Sequence, residues 1–135
     1  MPALRQMLQA VSDHDGGTYA VASEAVLANA LDRGLIHALI HDQGMVIYYA
    51  DFSTHRGEPG LYIQDLYVAP QARGSGLAQA LVAATLRHQT WGARYITLGV
   101  SPDNTAAMRF YAKTGFTRRG YEMMILDGQA LPDLP

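Results

Sequence analysis

The stretch Val68-Ala-Pro-Gln-Ala-Arg-Gly-Ser-Gly-Leu-Ala78 decides how this chain reads. It joins an apolar, partly β-branched run, residues 61–68, to an Ala- and Leu-rich run, residues 77–88. The order predicted is therefore strand, turn, helix. Gly74 and Gly76 let the backbone turn with its N–H groups exposed on one side. Those donors, together with the positive end of the helix dipole, suit a diphosphate, and Arg73 adds a permanent cation. A side chain in place of either glycine would keep phosphate oxygens from the amides. A tight turn without a ligand is the competing reading, since glycines are common in such turns. Other phosphate loops fail at named positions: Gly-Lys-Ser/Thr is absent, and Gln79 stands where a dinucleotide fingerprint has its third glycine.

Outward from that loop the pattern alternates between helix and strand. Leu4, Met7, Leu8 and Val11 recur at helical spacing, with a break over residues 13–17. Ser23 reads as the N-cap of a second helix carrying Val26, Leu27, Ala30 and Leu31, stopped at Gly34. Strands are predicted over 35–40 and 45–52, joined by a turn at Asp42, Gln43 and Gly44 and followed by a loop over 53–60. After the central helix come a strand over 95–100, a helix over 105–114 closed by Gly115, and two strands over 116–118 and 121–126. This is one domain, residues 1–135, of mixed α/β (α+β) class.

Composition narrows the possibilities. A chain of 135 residues with 49% hydrophobic and 16% charged residues is globular and builds one core. Ten basic residues against 12 acidic ones, without a basic stripe, argue against a nucleic-acid surface. The absence of cysteine removes disulfides, thiolate zinc sites and cysteine nucleophiles. No apolar run reaches the ~20 residues of a membrane span, and residues 1–11 lack a signal-peptide core, so a cytoplasmic protein is expected. His37 and His41 on one strand would stand ~13 Å apart, too far to share a metal, and no metal site is expected.

A second motif sharpens the reading: Asn104-Thr-Ala-Ala-Met-Arg-Phe-Tyr-Ala-Lys-Thr-Gly-Phe116. Arg73-Gly-Ser-Gly-Leu-Ala78 resembles the Arg/Gln-x-x-Gly-x-Gly/Ala motif of the GNAT superfamily of acyl-CoA-dependent N-acetyltransferases. The Asn, the Tyr seven residues on and the following Gly-Phe are similar to that superfamily's second landmark. The resemblance covers residues 3–127. Residues 48–54 and 60–68 are similar to its diamine (spermidine/spermine-type) branch.

The resemblance implies a mostly antiparallel central sheet flanked by helices, acetyl-CoA as co-substrate, and a small-molecule amine as acceptor. It implies cofactor contacts from Leu66, Tyr67 and Val68 on the strand, from Arg73, Gly74, Ser75, Gly76, Leu77 and Ala78 in the loop, and from Asn104 and Ala107. The Leu66 N–H would face the oxyanion, and Leu66 to Val68 would pair with the pantetheine arm. Tyr111 would be the acid that protonates the departing thiolate. For Asn104 a plain helix cap is an equal reading, and for Tyr111 the alternative is core packing beside Phe110. Gln64, Asp65 and Glu122 are the substrate-side candidates, with Asp51 beside them.

Two departures from the family's pattern stand out. The diamine branch carries Glu-Asp where this chain has Gln64-Asp65, and glutamine cannot take a proton from an ammonium. Deprotonation through water, or a less basic acceptor, is then implied, and strand alternation puts Asp65 on the face opposite Gln64. Members also open with a strand before the first helix, whereas this chain starts almost inside the helix. The first strand is therefore expected to be missing, with the exposed edge covered in a homodimer. A non-catalytic acyl-CoA-binding module and a protein lysine or N-terminal acetyltransferase are the competing functions.

Overall fold

The structure, a computed structural model, describes residues 1–14 and 21–128. It divides into two compact units, residues 1–100 and the residues from 101 onward.

In the first unit, α1 (Pro2–His14) and α2 (Glu24–Asp32) precede three strands, β1 (His37–His41), β2 (Gly44–Ser53) and β3 (Glu58–Val68). The helix α3 (Leu77–His88) and the short β4 (Ile96–Leu98) follow. The sheet order is β1-β2-β3-β4, antiparallel as far as β3, with β4 parallel to β3. This mixed, mostly antiparallel sheet with flanking helices matches the expected class. The break expected over 13–17 extends outside the described residues; α1 itself continues to His14. Ser23 caps α2 as expected, its Oγ accepting from the Val26 N–H at 3.3 Å.

Strand alternation explains how the sheet is covered. Met45 and Ile47 point to one face, where they join Leu4, Leu8 and Leu27 of α1 and α2 in the buried core, with Tyr67 packed against it. Val46, Tyr48, Leu61 and Ile63 point to the other face and are buried. That face lies under α3: a Cβ on Gly44 would sit 3.1 Å from both Leu77 Cδ2 and Leu81 Cδ1.

Gly60 holds a close approach of a different kind. A Cβ there would fall 2.3–2.5 Å from three atoms of the Tyr95 ring. The Tyr95 hydroxyl donates to Asp51 Oδ2 at 2.7 Å, and Trp91 Nε1 donates to the Gly60 carbonyl at 2.8 Å. Gly60→Ala is expected to displace the ring, break the phenol–carboxylate bond and cost about 2–3 kcal/mol. A lower urea midpoint at unchanged m-value is the measurement that checks it.

In the second unit, α4 (Thr105–Thr114) has the predicted bounds, and Gly115 closes it at φ 114°. The strands expected over 116–118 and 121–126 are not formed. Residues 121–126 have the composition of a strand, but Tyr121 to Ile125 are exposed and have no pairing partner among the described residues. Strand propensity expresses packing on a sheet, and this run, which pairs with no strand among the described residues, stays irregular.

Candidate active site

The site builds up from an irregularity in β3. Asp65 lies opposite Ile47 and Ile63 opposite Tyr48, so Gln64 is an extra residue, a β-bulge. The bulge turns the backbone over. Before it, Leu61 N–H donates to the Tyr95 carbonyl and the Pro59 carbonyl accepts from Arg94 N–H, so odd-numbered residues face β4. After it, Ala69 N–H donates to the Gln43 carbonyl in the β1–β2 turn, so odd-numbered residues face β2 instead. The backbone groups of Leu66 and Val68 therefore point away from β2. On that side β4 pairs only with Leu61, Tyr62 and Ile63, and no strand among the described residues pairs with 64–68. The result is a half-open edge with the Leu66 amide on it.

The turn after β3 is opened by its glycines. A single 3-10 turn, Pro70–Ala72, leads to Gly74 at φ 79° and Gly76 at φ 89°, the latter being the N-cap of α3. A Cβ built on either glycine would meet nothing within 4 Å, so the space over both is open. Ser75 Oγ donates to the Ala72 carbonyl and accepts from Leu77 N–H at 3.4 Å. Arg73 is exposed, its Nε donating at 3.5 Å to the outward-facing Val68 carbonyl. Leu77 is half-buried over Gly44, and Ala78 continues the first turn of α3. A cleft of about 290 Å³ lies beside the turn, lined by Ser75, Gly76 and Leu77 with His41 and Gln43 opposite.

This arrangement fits a diphosphate. It offers the Gly76 and Ala78 amides, unbonded among the described residues, at a helix N-terminus, left-handed glycines that no side chain shields, and a guanidinium at the rim. It also offers an extended edge on which an amide-bearing arm can pair.

On the substrate side the bulge interrupts the alternation along β3. Asp65 is paired with Ile47 and shares that residue's face, whereas Gln64 lies between residues of opposite faces and is exposed. Asp51 is engaged by the Tyr95 phenol. Glu122 lies in the second unit, exposed and outside any strand, and not on the late strand expected for it.

The second unit holds the other motif. Asn104 caps α4, its Oδ1 accepting from the Ala107 N–H at 3.2 Å, the helix-start reading of that residue. Tyr111 packs edge-on between Phe110 and Phe116, with ring centroids 5.3 and 5.5 Å away. Phe116 is brought there by the Gly115 turn, whose amide and that of Phe116 both donate to the Tyr111 carbonyl. Burial pushes the Tyr111 phenol above its ordinary value of 10.0 and keeps it protonated. Among the described residues, no cluster of His, Asp and Glu forms a metal site, and no helix is long and apolar enough to cross a membrane.

Fold and site together describe a mixed α/β sheet protein with a glycine turn, suited to an anion, at the open end of a bulged strand. The chain belongs to the acetyltransferase (GNAT) family, whose profile matches residues 4–116. A mycothiol acetyltransferase of Amycolatopsis mediterranei is 39% identical over 88 residues, 59% of this chain and 29% of that protein. An N-acetyltransferase of Mycobacterium bovis is 40% identical over 82 residues, 59% of this chain and 51% of its own length. The chain thus spans about half or less of the length of these relatives. An aminoglycoside acetyltransferase from a soil metagenomic sample, solved with trehalose, superimposes with TM-score 0.74 at 18% identity, covering 94% of this chain and 88% of its own. An integron cassette protein from the Vibrio cholerae mobile metagenome gives 0.72 at 24% identity over 97% and 88%. These two likenesses speak to the fold.

Three features of the site have no counterpart in the sequence reading: the bulge at Gln64, the contact of Tyr95 with Asp51, and the half-buried Tyr49–Tyr62 pair, with ring centroids 5.1 Å apart. Both tyrosines sit in predicted strands and read there as ordinary strand formers. Only the cross-strand register brings them together.

Proposed function

We propose that this chain is a single acetyl-CoA-dependent N-acetyltransferase domain that acetylates a primary amine of a small molecule, a polyamine, diamine or amino acid, by direct attack. The observation that carries this reading is the outward-facing Leu66 and Val68 edge running into a turn with open space over Gly74 and Gly76, where the Gly76 and Ala78 amides have no partner among the described residues. Acetyl-CoA supplies the activated acetyl thioester. Arg73 to Ala78 bind the diphosphate, and Leu66 to Val68 align the arm. The Leu66 N–H donates to the carbonyl oxygen as negative charge develops on it. Tyr111 gives its phenolic proton to the departing sulfur. An alkyl ammonium with a pKa near ~10.4 must lose a proton before it attacks, and with an amide at Gln64 that proton leaves through water.

The acceptor panel follows from the chain's own chemistry and from its relatives' names. It comprises spermidine, α,ω-diamines, amino acids, an aminoglycoside and a mycothiol precursor amine. Release of the CoA thiol with at least one of them is the expected result. Tight acetyl-CoA binding with no turnover on any amine, including a lysine peptide, would make the chain an acyl-CoA-binding module instead.

A further inference from the structure

If the acyl-CoA arm lies along the open edge beside Leu66, an acceptor reaches it from one of the two sheet faces. The face under α3 is filled: Val46 and Leu61 are 0% and Ile63 is 3% exposed. The other face is covered by α1 and α2 only as far as Met45, Ile47 and Tyr67. Beyond them the register lays out a ladder along β2 and β3. Asp65 lies opposite Ile47, then Tyr62 opposite Tyr49, then Asp51 opposite Gly60. The two tyrosine rings are tilted 32° and half-buried, with part of their surface turned to solvent. Asp51 is oriented by the Tyr95 phenol. The nearby guanidiniums of Arg56 and Arg94 are both drawn to Glu58, at 3.2 and 3.3 Å, and Arg56 also covers the Tyr95 ring. Burial first, and then the neighbouring Tyr62 and Asp51, raise the Tyr49 phenol above its ordinary value, so its ring stays neutral. Aromatic faces beside a carboxylate are how proteins hold ammonium groups.

We infer that Tyr49, Tyr62 and Asp51 form an acceptor subsite that holds a second positive charge of the substrate, the tyrosine pair ~10–13 Å and Asp51 ~17–20 Å along the strands from the amine that reacts beside Leu66. The substrate class this selects is an elongated dication, in preference to a monoamine. The inference rests on the transferase reading, and calorimetry on the protein saturated with CoA separates the two without needing turnover.

α,ω-Diaminoalkanes of increasing length are titrated beside monoamines of equal length. The diamines are expected to pass through an affinity maximum at the chain length that spans the ladder, binding there at least tenfold tighter than the monoamine. Asp51→Asn, which keeps an acceptor for the Tyr95 phenol, and Tyr49→Ala should each remove most of that preference. Tyr49→Phe should keep it, because the ring face remains. A preference that is absent in the parent protein, or that survives in Asp51→Asn and Tyr49→Ala, overturns the subsite. Failure of CoA itself to bind overturns the transferase reading beneath it.

Discussion

Gly76→Val is expected to weaken acetyl-CoA binding at least a hundredfold. The backbone at Gly76 has φ 89°, a region that β-branched residues avoid, so the substitution either strains the turn or moves it. If it moves, the first amides of α3 no longer converge on one point. If it does not, the new side chain projects into space that no protein atom occupies within 4 Å, the space assigned to the diphosphate. Charge-assisted hydrogen bonds are worth about 1.5–3 kcal/mol each, and a hundredfold loss is about 2.8 kcal/mol, so losing one or two suffices. Gly57→Val is the control. Gly57 also has positive φ, 67°, and open space around it, but it lies in the β2–β3 hairpin. Both variants should lose thermal stability by similar amounts, and only Gly76→Val should lose affinity in calorimetry. Equal acetyl-CoA affinity in the two variants would remove the diphosphate from this turn.

Tyr111→Phe should lower kcat by about 10²–10³, the ordinary contribution of a general acid, while acetyl-CoA affinity stays within about twofold. The ring contacts with Phe110 and Phe116 need no hydroxyl, so the helix end keeps its packing. A phenol at pKa ~10 is already ~1.5 units weaker as an acid than a thiol near ~8.5, a deficit of about 2 kcal/mol. Burial of Tyr111 raises its pKa and widens the gap, so the proton moves as the carbon–sulfur bond breaks and not before. The sign of the pH effect follows. A raised pKa keeps the acid form populated as pH rises, so any fall in kcat due to Tyr111 begins only above the ordinary phenol value. That alkaline fall should be missing in Tyr111→Phe. A variant with full kcat across the pH range would leave Tyr111 as a packing residue.

The elements of this protein were legible where local chemistry determines them. The Ala- and Leu-rich run 77–88 and the Asn104-to-Gly115 segment form helices with the bounds expected, because caps and propensity act within a few residues. The turn at 73–76 was legible for the same reason, since only glycine takes those backbone angles readily. The bulge was not. Nothing in Gln64-Asp65 marks an extra residue, which exists only relative to Ile47 and Tyr48 across the sheet. That one residue reverses which side the backbone groups of Leu66 and Val68 face. The Tyr49–Tyr62 pair and the Tyr95–Asp51 bond were hidden likewise, their partners lying 13 and 44 residues away along the chain. Residues 121–126 show the opposite failure: a strand pattern that pairs with no strand among the described residues remains a pattern.

In the proposed reaction the turn at 73–78 holds a diphosphate while the attached arm pairs with the open edge of β3. Amide hydrogen exchange with and without CoA tests both halves at once. Slower exchange is predicted at Gly76 and Ala78 and at Leu66 and Val68, with Asp65 and Tyr67, already facing β2, and Ser75, already bonded to the Ala72 carbonyl, unchanged. Protection that leaves those amides untouched and falls elsewhere would contradict it.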